Sequence, residues 1–299
     1  MEDFLQNLII GIMGSPTVDA GYMQYLQNMP QQFMDRMWPC PENIDSFIAW
    51  IVALIPGYLI YTYAGRVAKE KHVSPYPLWI HCYMMSIDTI GVITFAYLAF
   101  TYNFYWFFCL QCVLLAIWLR MEFKSIQAGL NNRDELQQEF GALRKGSITR
   151  KEAIPYCIGI YVVGFMLNAW GMSLFGGFAN MGIWIIYAFT NYVYAIFTWR
   201  FWDARAAQVG VRKYNSVGLA AVLVFTMFIS WCPFISWYWV VSPFFHQPWF
   251  YLVGIAATAV AVYNLIRVRK LPDWNYGDPL PGEKDQAGKQ ELPTSASAE

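Results

Sequence analysis

Long apolar segments, separated by short polar connections, dominate the chain from about residue 46 onward. A transmembrane helix needs about 20 mostly apolar residues. Seven segments approach or exceed this length, at 46–65, 77–99, 103–121, 153–175, 181–201, 216–239 and 248–266. The pattern therefore predicts an all-α protein, an integral membrane bundle of seven helices.

Three stretches outside these spans are more polar. The first, 1–45, begins with an amphipathic run, FLQNLIIGIM, which predicts a helix lying in the membrane interface. The second, 122–152, has helical character and divides three spans from four. The third, 271–299, is rich in Pro, Gly and Ser, which predicts a disordered cytoplasmic tail. The seven spans and their connections then form one domain, 46–270.

Lys and Arg occur in alternate connections only. They follow spans one, three, five and seven, whereas the connections TYNF, GGFANMG and VSPFFHQP contain none. By the positive-inside rule the N-terminus is outside or lumenal and the C-terminus is cytoplasmic. The basic loops AGRVAKEKHVSPYPLW and DARAAQVGVRKYNSVG are similar, which is compatible with a 3+1+3 repeat. Their shared position at a cytoplasmic face explains the likeness about as well.

Composition supports a chain surrounded by a lipid bilayer, since 57% of residues are apolar and only 13% are charged. Net charge is zero and no basic block is present, so nucleic acid is not an expected partner. The chain contains no HExxH, no GxSxG, no P-loop and no aspartate cluster within a span. We therefore predict neither a metal nor a cofactor.

Asp88 lies near the middle of the second span, in PLWIHCYMMSIDTIGVITFAYLAF. An ionised carboxylate at mid-membrane costs about 2.5–3.5 kcal/mol on insertion scales, so Asp88 is expected to face the bundle interior. One interpretation is a structural hydrogen bond to a polar side chain of another helix. The candidates are Gln111, Asn168, Asn191 and Asn264. The other interpretation, which we favour, is a general acid, because burial favours a protonated carboxyl that can donate its proton.

His81 shares a helix face with Asp88 but lies seven residues away, about 10 Å along the axis at 1.5 Å per residue. The two side chains can line one cavity at different depths, although they cannot form a direct pair. Asn168 and Asn191, on spans four and five, are candidates first for hydrogen bonds between helices and second for substrate binding. The predicted site therefore combines Asp88 as acid with His81, Asn168 and Asn191 as substrate-binding residues.

The chain resembles the small seven-span membrane-bound terpene cyclases of fungal meroterpenoid and indole-diterpene pathways. The resemblance lies in the topology of 46–270 and in PGYLIYTYAGRVAKEKHVSPYPLWIHCYMMSID, WRFWDARAAQVGVRKYNSVG and SPFFHQPWFYLVGIAATAVAVYNLIRVRK. Asp88 takes the place of the glutamate in the family's Asn-x-x-Trp-Glu motif, with Met84 and Ile87 at the Asn and Trp positions. The family's second acid, in its last span, corresponds to Val260, so one acid carries over.

This resemblance implies an enzyme of secondary metabolism in the endoplasmic reticulum or another endomembrane. Asp88 would protonate an apolar, prenylated small molecule and so begin its cyclisation. The same topology is also the plan of SWEET and PQ-loop carriers, although the only PQ, in MPQQF, lies outside the predicted spans. A seven-span receptor fits as well, but the outer connections carry almost no charge with which to bind a ligand.

Overall fold

The computed structural model describes residues 28–141, 147–175, 177–192 and 210–281, and every regular element in these ranges is a helix. The first part of the chain contains α1 (Met29–Arg36), α2 (Ile44–Lys71), α3 (Leu78–Thr101), α4 (Trp106–Asn131), α5 (Arg133–Phe140) and α6 (Arg150–Leu174). A helical segment follows at 183–192. The last part contains α7 (Val217–Trp231), α8 (Trp237–Val241) and α9 (Pro248–Lys270), and single 3₁₀ turns lie at Pro41–Asn43 and Pro243–Phe245. The all-α prediction is confirmed.

Five of the described helices, α2, α3, α4, α6 and α9, are long and apolar enough to cross a membrane. Their outer faces expose large apolar side chains, among them Ile51 and Ile55 on α2 and Val163 and Met166 on α6. Such continuous apolar surface is unusual on a soluble protein and is the expected outer surface of a helical protein in lipid. These helices fit a multi-pass membrane protein, while the count of seven spans and their orientation remain predictions.

The span predicted at 216–239 is not one continuous helix. α7 ends at Trp231, because Pro233 disfavours the helical conformation in the residue before it, and Cys232 is extended. Ser236 then restarts the helix: its hydroxyl donates to the Ser230 carbonyl oxygen (2.7 Å) and accepts from the Trp239 N–H (3.4 Å). The break is therefore held by hydrogen bonds. Of the span predicted at 181–201, the structure describes a helix over 183–192, and the remainder lies outside the described residues.

The connection predicted at 122–152 begins later than expected. α4 continues without interruption to Asn131, so Glu122 belongs to a membrane helix and not to a polar loop. The short helix α5 follows, and α6 begins with a capping box in which the Thr149 N–H and hydroxyl both donate to the Glu152 carboxylate (2.9 and 2.8 Å). The cap fixes the point at which the chain turns back into the bundle.

α3 is the central helix of the first half of the bundle and packs against α4 and α6. In the second half α7 packs against α9, at a point where Gly254 leaves room for the Trp231 ring. A Cβ at this glycine would lie 2.2 Å from the ring, and Trp231 Nε1 donates to Thr258 Oγ1 across the same contact (2.9 Å). Small residues that let helices approach closely are the usual basis of helix association in lipid.

Parts of both predicted terminal segments are packed against the bundle. The interfacial helix predicted near the start of 1–45 lies outside the described residues, but α1 places Phe33 in the core, stacked on Trp184 with a ring separation of 5.5 Å. Within the tail 271–299, which was predicted to be disordered, Trp274 is buried and Asp273 binds a lysine. Residues 282–299 lie outside the described residues.

Asp273 attaches this tail segment to the end of α2. Its Oδ1 lies 3.0 Å from Lys71 Nζ, which also donates to the carbonyl oxygens of Arg212 (2.6 Å) and Asn215 (3.2 Å). Burial opposes ionisation of Asp273. The hydrogen bonds from Lys71 and the Trp274 N–H, with the charges of Lys71 and Arg212, nevertheless hold the pKa of its carboxyl below the usual value. The lysine thus links α2, the loop before α7 and the tail.

The predicted orientation can be tested with single cysteines at the two ends of α6. Ser147→Cys precedes the helix and Ala179→Cys follows it, and both positions are exposed. In a Cys40→Ser background, an impermeant maleimide added to sealed microsomes should label Ser147→Cys, because the positive-inside rule places it on the cytoplasmic side. Ala179→Cys should react only after the microsomes are permeabilised. Labelling of both sites from the same side would contradict the orientation.

Candidate functional site

A cavity of about 600 Å³ lies among α2, α3 and α4 and is completed by the segment 183–192, α7 and α8. Six of the α4 residues that line the cavity recur every three or four positions and so share one helix face: Gln111, Leu115, Trp118, Glu122, Ser125 and Gly129. From the first to the last of these the helix rises about 27 Å, at 1.5 Å per residue. The cavity is therefore long and narrow.

The space exists because α2 presents small side chains to α4. The α2 lining includes Ala53, Gly57, Ala64 and Ala68. Gly57 lies opposite Trp118, and a Cβ there would be 2.9 Å from the indole ring. A larger residue at this position would push the indole aside and narrow the cavity.

Asp88 borders this cavity and is 1% exposed, which confirms that it faces the bundle interior. Its Oδ1 accepts a hydrogen bond from the Tyr187 hydroxyl (3.0 Å), so its partner is none of the four amides considered from the sequence. Gly91, one turn along α3, makes this contact possible, because a Cβ there would lie 2.5 Å from the same hydroxyl. Within the described residues, Oδ2 has no hydrogen-bond partner and no cation pairs with the carboxyl.

Glu122 is a second buried carboxyl in the same cavity, 3% exposed, and the sequence analysis did not find it. Its Oε2 lies 2.5 Å from His81 Nδ1, and its Oε1 accepts a hydrogen bond from the Tyr61 hydroxyl, also at 2.5 Å. The three side chains come from α2, α3 and α4. The Tyr76 ring packs edge-on against the imidazole, with 6.0 Å between ring centres.

Of the four residues predicted for the site, Asp88, His81 and Asn191 line the cavity and Asn168 does not. Asn168 lies between α6 and α3, where Nδ2 donates to the Gly164 carbonyl oxygen (2.8 Å) and to Ser86 Oγ (3.3 Å). These contacts are those of helix packing. His81 and Asp88 form no direct pair, in agreement with their spacing, because His81 is bound to Glu122.

The helical period would have revealed Glu122. Gln111, Leu115, Trp118 and Glu122 are separated by four, three and four residues, which is the spacing of one helix face. The predicted span ended at residue 121, where Arg120, Glu122 and Lys124 lie close together in the sequence. Charge content locates the end of an apolar run, but it does not distinguish a charge in a loop from one that faces a cavity.

Aromatic side chains form the part of the wall beyond Asp88. Trp184 and Trp237 meet edge to face with 4.5 Å between ring centres, and Tyr238 lies beside them. Aromatic faces stabilise cations through their quadrupoles. Gln111 Nε2 and the two indole N–H groups have no hydrogen-bond partner in the described part of the chain. This region is apolar but contains donors.

The described residues contain no group of three or more His, Cys, Asp or Glu side chains that could hold a metal ion. Glu122 and His81 form a pair, which falls short of the three protein ligands of a catalytic zinc site. Comparison with models of known protein families, with curated proteins and with solved structures finds no match. What the protein does must therefore be inferred from the cavity and its side chains.

The contact between Tyr187 and Asp88 predicts a measurable loss of stability. Tyr187→Phe would leave both oxygens of a buried carboxyl without a partner among the described residues, a loss that typically costs about 1–3 kcal/mol. We expect a lower melting temperature in detergent. Tyr97→Phe is the control, because this tyrosine lies on the helix of Asp88 with its side chain 47% exposed. A Tyr187→Phe variant as stable as the control would contradict the importance of the contact.

Proposed function

We propose that the protein is a membrane-embedded enzyme that cyclises a prenylated, apolar small molecule by general acid catalysis. The observation that supports this most strongly is the state of Asp88. It is a deeply buried carboxyl beside an aromatic cavity, with one oxygen bound to Tyr187 and the other unpartnered in the described structure. A carboxyl that only linked two helices would be expected to have both oxygens satisfied.

The proposed reaction begins with proton transfer from Asp88. Burial, with no cation paired to Asp88 among the described residues, favours the neutral carboxyl, and the hydrogen bond from Tyr187 leaves Oδ2 as the oxygen that carries the proton. The O–H bond breaks, and the proton goes to an alkene carbon or an epoxide oxygen of the substrate. A neighbouring double bond then attacks the electron-deficient carbon and closes a ring. Tyr187 stabilises the carboxylate that remains.

The shape of the cavity favours a chain-like substrate. Its length along α4 and its small residues on α2 leave a narrow space, which suits an isoprenoid chain better than a compact molecule. Trp118, Trp184 and Trp237 present aromatic rings on which carbocations formed along the chain are stabilised. Because such a substrate partitions into lipid, we place the enzyme in the endoplasmic reticulum or another endomembrane, as a seven-span protein with its N-terminus outside or lumenal.

A carrier for small solutes is the second candidate. The observation in its favour is the break between α7 and α8, since Ser230 and Trp237 line the cavity on its two sides. Membrane carriers commonly build their binding sites at interrupted helices. Uptake of labelled sugars into vesicles containing the purified protein, without chemical change of the solute, would favour this function over the enzyme.

Asp88→Asn tests the proposed acid directly. The amide keeps the size and hydrogen bonding of the side chain but has no acidic proton, so turnover should fall by about 100- to 10,000-fold. Asp88→Glu should keep part of the activity. Each variant is expressed with candidate prenylated substrates in a host without the pathway, and cyclised product is quantified by mass spectrometry at matched protein level.

Asp45→Asn is the matched control for this experiment, since it is the same change at a half-exposed site at the start of α2. It should cyclise the substrate at the wild-type rate. Full activity of Asp88→Asn would show that the carboxyl has a structural role and that the acid lies elsewhere.

A further inference from the structure

Glu122 on α4 contacts side chains of α2 and α3 at one buried point. Its pairing with His81 resembles the carboxylate–histidine pairs in which the histidine acts as a general base. Its two oxygens are both used, Oε2 by His81 Nδ1 and Oε1 by the Tyr61 hydroxyl. A carboxylate that accepts from Nδ1–H fixes the tautomer and the orientation of an imidazole and makes its other nitrogen more basic. Nε2 is then the nitrogen left to exchange a proton with the cavity that His81 lines.

Tyr61 stabilises the charge that this arrangement requires. A buried carboxylate is costly, and a hydrogen bond to a charged group is among the stronger hydrogen bonds in proteins. Tyr61 satisfies Oε1 and the imidazole satisfies Oε2, so neither oxygen of Glu122 is left without a partner. The Glu122 carboxyl is also the group in contact with the ring when Nε2 takes up a proton.

The His81–Glu122 pair is not in contact with Asp88, the proposed acid. Asp88 and His81 lie on the same face of α3, about 10 Å apart along its axis, with Met84 between them on the cavity wall. An acid and a base in contact would exchange the proton with each other and lose both functions. Their separation along one cavity gives each group its own environment.

We propose that His81, positioned by Glu122 and Tyr61, is the proton acceptor that ends the reaction begun by Asp88; this role rests on the proposed function. In the last step a C–H bond next to the cationic carbon breaks. Its electron pair forms the C=C bond of the product, and the proton goes to Nε2. Water at the cavity mouth then takes the proton from the imidazolium, and another water-borne proton restores Asp88. The substrate is isomerised without any oxidant or reductant.

The state of His81 can be measured without any substrate. The chain has three histidines, His72, His81 and His246, so ¹⁵N-histidine-labelled protein in lipid nanodiscs gives few signals, and His81→Gln assigns one of them. We expect a neutral ring with its proton on Nδ1, and loss of this tautomer in Glu122→Gln. A ring protonated on Nε2 or on both nitrogens, or a spectrum unchanged in Glu122→Gln, would overturn the proposal.

Turnover gives the second readout. His81→Gln should still consume substrate, because Asp88 is intact, but formation of the wild-type alkene should fall at least about 100-fold, with water-captured or rearranged products in its place. Glu122→Gln, which preserves size and hydrogen bonding, should shift the products in the same direction. His246→Gln is the control, since this histidine is exposed and its Nε2 is bound to the Trp239 carbonyl oxygen (2.8 Å).

The two proposals fail in different ways. If the wild-type protein cyclises no prenylated substrate, the proposed function is wrong, and the role of His81 in cyclisation falls with it, whatever its tautomer. If the wild type cyclises and Asp88→Asn does not, but His81→Gln forms the same product at the same rate, then only the proton-acceptor proposal is wrong.

Discussion

The cost of placing a carboxyl in a membrane is the constraint on which the rest of this structure depends. Asp88 and Glu122 both lie within long apolar helices, and exposure of either to lipid would oppose insertion of its helix. α3 is accordingly the central helix. In its most apolar stretch of 18 residues 50% of the residues are buried, against 22–28% in the corresponding stretches of the other four long helices. The two carboxyls are accommodated differently, Asp88 by a single tyrosine and Glu122 by a histidine and a tyrosine.

Small residues supply the geometry that these polar contacts need. In lipid the hydrophobic effect does not drive helices together, so close packing and hydrogen bonds decide which faces meet. Gly164 lets α6 approach α3 near Ser86, and Gly91 admits the Tyr187 hydroxyl to the same helix. On α2 the small residues have the opposite effect, because Trp118 fills only part of the space opposite them. Small residues thus allow close contact at α3 and leave a cavity between α2 and α4.

The sequence predicted the long helices and the interior position of Asp88, because apolar length and the cost of a charge depend on the local segment alone. It could not identify Tyr187 as the partner of Asp88, since that contact joins residues 99 positions apart and depends on a glycine in between. The sequence analysis did not predict the end of α7, although Pro233 marks it. The residues on both sides of the break are mostly apolar, so the segment was assigned to one span. Trp274 and Asp273 were assigned to a disordered tail because their partners lie on distant parts of the chain.

The polar groups along the cavity are arranged from the most exposed at its mouth to the most deeply buried. Lys124, Asn132 and His72 line the part near the ends of α2 and α4, where charges remain hydrated. The His81–Glu122 pair comes next, then Asp88 with Tyr187, and finally aromatic rings with N–H donors. Desolvation becomes more costly with depth, so the ionisable groups further in are ones that have hydrogen-bond partners. A ligand that matches this gradient has a polar head at the mouth and an apolar chain that extends past Asp88 to the aromatic rings. In the proposed reaction, Asp88 would then meet a part of the chain far from the head, and His81 would meet a position between the two.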